Sequence, residues 1–133
     1  MKKILFINSY VNGRGAGRSQ KNKISNENLS KKINQSWLTI CTSSYANVLL
    51  GKYIETSMSN SCVLGDMPPD GLNYWKDNYI HIDNKMSDNE IIEIINNSLK
   101  DKENIKNKIK NMNRIIKIFN LSNFSDKIYY NIL

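Results

Sequence analysis

The chain has 133 residues, of which 40% are hydrophobic and 23% charged, a balance typical of one globular domain with one core. Its net charge of +7 is unevenly distributed. Residues 1–32 hold eight Lys or Arg against one acid, residues 33–99 hold three against eight, and residues 100–133 hold eight against three. Neither basic flank clearly interleaves aromatic residues with its cations, which argues against a nucleic-acid partner. A solvated or membrane-facing basic surface is favoured instead.

Residues 1–32 are predicted to be a poorly ordered basic segment with one buried strand, at residues 4–7. Glycines and arginines at residues 13–19 suit a bound phosphate, but their spacing matches neither common phosphate-loop motif, and a flexible basic loop is the alternative. The apolar run at the start is too short for a membrane span or a signal peptide. We therefore expect a cytoplasmic protein, and the basic flanks leave the inner face of the membrane open as a second location.

Helices and strands then alternate along the middle of the chain. The predicted elements are a short helix at 29–34, strands at 37–41, 62–64 and 79–82, and a helix at 44–59 between the first two strands. Cys41 and Cys62 fall at apolar strand positions with no metal-ligand spacing, so we expect buried free thiols. His81 alternates with apolar residues and is predicted to be a satisfied strand residue rather than a base.

The helix predicted at 44–59 carries the most distinctive chemistry. Its apolar face is assigned to Leu50, Ile54 and Met58, which recur at helical spacing. Lys52 and Glu55 are three residues apart and share another face, where they either serve a site or form a surface ion pair of little value. Because an acid on a helix beside a sheet is expensive to bury without a partner, Glu55 is the leading candidate for function.

The strand after this helix ends in Gly65 and Asp66, and a proline-rich long loop is predicted to follow, with its aspartates in solvent. Ser87 and Glu90 then form a capping box before an isoleucine-rich helix. A second helix carries an apolar stripe over residues 105–119, and a short final helix is predicted at 124–132. Strands that alternate with helices predict an α/β fold with a parallel sheet flanked by helices.

The order of a strand ending in small polar residues, a helix with Lys52 and Glu55, a turn, and Val63-Leu64-Gly65 resembles the nucleotide-sugar-binding half of GT-B-type glycosyltransferases. The resemblance covers residues 33–133 and implies a single Rossmann-like donor-binding domain with C-terminal helices. Two positions depart from the family pattern. Asn47 stands where a second acid is common, and Asn60-Ser61 stand where a glycine is usual.

The resemblance also implies a site. Glu55 would accept hydrogen bonds from the donor ribose, and the helix N-terminus would face the diphosphate. The residues that it places around the donor are Lys52, Glu55, Ser43, Ser44, Asn47, Gly65 and Asp66. It implies a nucleotide-sugar substrate, with no further cofactor and no metal, and it names no catalytic base.

Enzymes of this type have two such domains, so the resemblance implies a partner domain that is not in this chain. The chain is then a truncated glycosyltransferase of cell-surface polysaccharide or lipopolysaccharide synthesis, a relic, or a subunit completed by another chain. The competing hypothesis is a non-catalytic α/β relic or protein-interaction module.

Overall fold

The computed structural model of the protein describes residues 25–43, 45 and 47–119. Within these residues a small sheet is surrounded by helices. The elements in chain order are α1 (Asn26–Asn34), β1 (Leu38–Ile40), α2 (Gly51–Met58), β2 (Cys62–Gly65), α3 (Pro69–Trp75), β3 (Ile80–His81), α4 (Asp88–Lys100), α5 (Lys102–Ile115) and a 3₁₀ turn (Ile116–Phe119). The strand predicted at 4–7, the stretch at 13–19 and the helix predicted at 124–132 lie outside the described residues.

The sheet has the order β1-β2-β3, and both pairs of neighbours are parallel. Every residue of β2 is buried. Because successive side chains of a strand point to opposite faces, both faces of the central strand are covered. This confirms the predicted α/β class, a Rossmann-like domain whose parallel sheet is flanked by helices.

Two aromatic side chains form the centre of the core. Tyr53 of α2 and Trp75 of α3 are completely buried and meet edge to face, with ring centroids 6.3 Å apart and planes at 74°. Such a pair contributes about 1 kcal/mol beyond the burial of its area. Val63 of β2 and Met112 of α5 complete the contact between sheet and helices. The core therefore joins α2, α3 and α5 to one strand.

The two long helices form as the sequence predicts. Ser87 caps α4 by accepting from the Glu90 amide, and the Glu90 carboxylate accepts from the Ser87 amide at 2.7 Å, so the capping box is confirmed. In α5, Ile105 and Met112 are buried on one side of the helix. No helix among the described segments is long and apolar enough to cross a bilayer.

The helix predicted at 44–59 is wrong at its beginning, and its predicted apolar face is confirmed only in part. It begins at Gly51, because the Leu49 amide donates to Asp70 instead of a helical carbonyl and Leu50 is extended. Its buried residues are Tyr53, Thr56 and Ser57, whereas Met58 is 65% exposed. Leu50 and Ile54 are partly buried and pack against the core, but the fully buried side of the helix is the one on which Tyr53 meets Trp75.

The proline-rich segment is also different from the predicted long loop. It forms α3, which Pro69 begins at a position where its fixed φ suits a helix and its lack of an amide proton costs nothing. At the other end of the described chain, α1 begins three residues earlier than predicted, because the Ser25 hydroxyl accepts from the Asn28 amide and caps the helix. This helix runs across residue 32, where the predicted N-terminal segment ends.

The contact between β1 and β2 leaves no room for a side chain at Gly65. A Cβ there would lie 1.8 Å from the Cys41 carbonyl oxygen, which is backbone and cannot rotate away. We expect Gly65→Ala to lower the free energy of unfolding by about 2 to 3 kcal/mol. Gly51→Ala is the control, because a Cβ at Gly51 meets nothing within 4 Å and should leave stability unchanged or raise it by up to about 1 kcal/mol. Urea denaturation measures both, and equal effects would contradict the steric argument.

Candidate functional site

The chain segments that follow β1 and β2 lie side by side, because parallel strands end at the same edge of a sheet. We call this the carboxyl edge; it comprises residues 42–43, residues 65–66 and the start of α2. In open α/β sheets this edge is where ligands bind. Cys41, the residue directly after β1, donates its amide to the Leu64 carbonyl at 3.0 Å and keeps the two segments in register.

Asp66 ties the two strand ends together. Its carboxylate accepts from the Ser43 amide at 2.8 Å and from the Ser43 hydroxyl. Partial burial opposes ionisation of Asp66, but these hydrogen bonds outweigh it and lower the pKa of the carboxyl below its ordinary value. The Tyr53 hydroxyl donates to the Asp66 carbonyl at 2.8 Å and connects the carboxyl edge to the core.

A second carboxylate fixes the loop that leads into α2. Both oxygens of Asp70 lie 2.9 Å from the Leu49 amide, so the start of α3 holds the residues just before α2. Asp70 is exposed, as predicted, whereas Asp66 is partly buried. Each carboxylate also accepts from a backbone amide, Asp66 from Ser43 and Asp70 from Leu49 just before α2.

Helix α2 begins at the carboxyl edge without a side-chain cap. Its N-cap is Leu50, which has no side-chain acceptor, and its first turn contains no acid. Gly51 is exposed with open space around it. Unsatisfied amides and the helix dipole make such an end attractive to an anion. The cationic Lys52 stands in the same turn, where a lysine is unfavourable for the helix alone.

Lys52 and Glu55 lie over the end of β1 and do not pair with each other. The Lys52 ammonium lies 3.4 Å from the Thr42 hydroxyl, and no contact within 4.0 Å joins it to the half-buried Glu55. Burial raises the pKa of the neighbouring Cys41 thiol; Lys52 opposes that increase and the Glu55 charge adds to it. Both charges therefore act on one point, at the end of β1.

The structure brings together five of the residues predicted for the site: Ser43, Lys52, Glu55, Gly65 and Asp66. Ser44 lies outside the described residues. Asn47 belongs to the exposed loop before α2, with a left-handed φ of 51° that asparagine tolerates. Sequence reasoning missed the roles of Tyr53 and Asp70, which act through contacts distant in sequence. Only Pro69 at a helix start followed by an acid could have indicated α3 and hence Asp70.

The other candidate groups stand apart from this site. His81 is exposed and lies 3.2 Å from the Asp83 carboxylate, as a satisfied residue at the end of a strand would. Cys41 and Cys62 are buried free thiols, as predicted, and burial raises the pKa of Cys62 to about 11. Across residues 25–119, apart from positions 44 and 46, no three His, Cys, Asp or Glu side chains come together as a metal site would require.

Chemically, the carboxyl edge offers both donors and acceptors. The start of α2, the Lys52 ammonium and the Thr42 hydroxyl can donate to an anion, and the Glu55 carboxylate can accept from hydroxyl groups. No family model, curated protein or solved structure matches the chain.

The Asp66 hydrogen bonds predict a pH-dependent stability. A carboxyl with a lowered pKa in the folded protein stabilises it above the ordinary value of 3.8, and that stability is lost as the pH falls through the folded-state pKa. We expect Asp66→Asn to lower the free energy of unfolding by about 1 to 2 kcal/mol at pH 7. The difference from wild type should shrink as the pH falls below about 4.

Denaturation at a series of pH values measures this difference, and Ser43→Ala is the matched variant. It removes the hydroxyl donor but keeps the amide donor, so its free energy of unfolding should lie between those of wild type and Asp66→Asn. A gap between wild type and Asp66→Asn that stays constant from pH 7 to pH 3 would mean that the Asp66 charge plays no part.

Proposed function

We propose that the domain binds a nucleotide-sugar donor, as the C-terminal half of a GT-B-type glycosyltransferase does. The observation that carries the proposal is the start of α2: an uncapped helix N-terminus with a lysine in its first turn and an acid in its second, placed at the carboxyl edge of a parallel sheet. An anion and a group rich in hydroxyls can bind there side by side. A nucleoside diphosphate presents both.

In this proposal the diphosphate lies at the start of α2. The amides of the first turn and the Lys52 ammonium neutralise it, and the lack of a side chain on Gly51 lets it approach the backbone. Thr42 and the Ser43 loop border the same space, and Asp66 holds that loop in place. Asp66 is then a positioning residue, whereas Lys52 touches the substrate.

The ribose of the donor lies one turn further along, at Glu55. A half-buried carboxylate without an ion pair is a strong acceptor for two adjacent hydroxyls. Its nearest charged neighbour on the helix, Lys52, is occupied at Thr42 and leaves the Glu55 carboxylate available. These contacts orient the donor rather than break a bond.

The chemistry in such a domain is positioning and charge stabilisation. The departing nucleoside diphosphate gains negative charge as the sugar is transferred, and the start of α2 with Lys52 stabilises that charge. The acceptor pocket and the base belong to a partner domain. The reactions that fit are sugar transfers in the synthesis of cell-surface polysaccharide or lipopolysaccharide.

One observation favours the alternative of a non-catalytic protein-interaction module. β1 pairs with β2 on one side only among the described strands, and its Ile40 is 66% exposed. An edge strand with an exposed isoleucine can take up another chain by pairing. A nucleotide would have no role in that contact, so nucleotide binding discriminates between the two functions.

Titration calorimetry with uridine, guanosine, adenosine and cytidine diphosphates tests the proposal. The domain should bind at least one of them weakly, because the partner half of the cleft is absent. Glu55→Gln should weaken that binding roughly ten-fold or more, since hydrogen bonds to a charged group contribute about 1.5 to 3 kcal/mol. Lys52→Gln should weaken it as well, by loss of the diphosphate contact.

Glu93→Gln is the control, because Glu93 is an exposed acid on α4, outside the proposed site. It changes the net charge as Glu55→Gln does and should leave the affinity unchanged. Binding that is absent for all four nucleotides, or equally sensitive to Glu55 and Glu93, would leave the protein-interaction function as the better one.

A further inference from the structure

Helix α5 and the 3₁₀ turn after it carry a row of exposed cations, which we call the basic face: Lys102, Lys106, Lys110, Arg114 and Lys117. Spacings of four, four, four and three residues place them along one side of the helix. The opposite side holds the buried Ile105 and Met112, so packing fixes the orientation of the row. Glu103 is the one acid on this helix, and it lies 3.7 Å from the Lys106 ammonium.

The basic face lies at the end of the domain opposite to the carboxyl edge. α5 contacts the residue or loop that precedes each strand. The Lys102 ammonium is 5.4 Å from the centre of the Trp37 ring, just before β1. Asn113 donates to Asn60 at 2.8 Å, before β2, and Asn111 donates to Asn78 at 3.0 Å, before β3. The helix therefore lies against the residues that precede the strands.

We propose that the basic face binds an anionic lipid bilayer. The row extends for about 20 Å along a helix of this length, a shape that can lie flat on a charged surface. Four of its five cations are lysines, which act as hydrated point charges and suit a diffuse anionic surface. Specific readout of nucleic acid relies more on arginine forks and stacked aromatic residues, and α5 itself has no aromatic residue.

Trp37 supports the same partner. Its ring is 38% exposed and lies beneath Lys102 at one end of the row. Tryptophan favours the boundary between headgroups and hydrocarbon, where its ring is half in water. Because α5 contacts the residues that precede the strands, the carboxyl edge at their other ends lies outside the lipid contact. The contact is thus separate from the proposed donor site and does not depend on it.

Flotation of the full chain with phosphatidylcholine vesicles, with and without 30% phosphatidylglycerol, tests the proposal. Wild-type protein should float with the anionic vesicles and remain unbound with the neutral ones. The double variant Lys110→Gln/Arg114→Gln removes two charges from the middle of the row, and glutamine keeps helix propensity high. Its partition onto anionic vesicles should be about thirty-fold weaker.

Two further double variants remove the same charge elsewhere. Lys31→Gln/Lys85→Gln changes exposed lysines outside α5, and Arg14→Gln/Arg18→Gln changes the N-terminal basic stretch. Each should bind within about three-fold of wild type, and circular dichroism checks that every variant is folded. An equal loss of vesicle binding in all three double variants, or a larger loss in either control variant, would overturn the assignment to the basic face. The proposal of a lipid partner would be overturned if wild-type protein did not bind anionic vesicles. It would also be overturned if duplex RNA displaced the protein from the vesicles at equal phosphate concentration.

Discussion

One side chain, Tyr53, connects the core of this protein to its candidate site. Its ring packs against Trp75 inside the domain, and its hydroxyl donates to the backbone carbonyl of Asp66 at the carboxyl edge. A tyrosine buried this deeply needs a partner for its hydroxyl, because an unsatisfied buried polar group costs about 1 to 3 kcal/mol. Asp66 supplies the partner and in turn holds Ser43. The geometry of the site is therefore a product of core packing, and a change in either affects both.

Among the described residues, the carboxylates of the carboxyl edge and the cations of α5 lie in different parts of the domain. The acidic stretch at residues 33–99 contains the carboxylates that position loops, and two of these, Asp66 and Asp70, accept from backbone amides rather than from lysines. The basic residues of α5 line the other end of the domain. Lys52 is the exception, a cation at the carboxyl edge. The carboxyl edge thus carries charges of both signs, whereas α5 presents mainly cations.

Elements with purely local causes were predictable from the sequence. The capping box at Ser87 and the period of the isoleucines give α4, and the short β-branched run after residue 61 gives β2. Elements decided by distant partners were not. The beginning of α2 depends on Asp70, more than twenty residues later, and its buried face depends on Trp75. At the carboxyl edge, pattern and resemblance had proposed Glu55, Lys52, Ser43, Gly65 and Asp66, but the hydrogen bonds that position Asp66 and Asp70 could not be read from spacing.

The two buried thiols can report on local opening of the domain. Cys41 is 1% exposed beneath α2, 3.3 Å from the Thr56 hydroxyl, while Cys62 is 2% exposed at the start of β2, near Lys108 of α5. A thiol reagent can reach either one only when the covering segment opens, so each labelling rate measures the free energy of a different local opening. The labelling rate of Cys41 thus reports on opening beneath α2, and that of Cys62 reports on opening beside α5. Both thiols are native, so no cysteine has to be introduced.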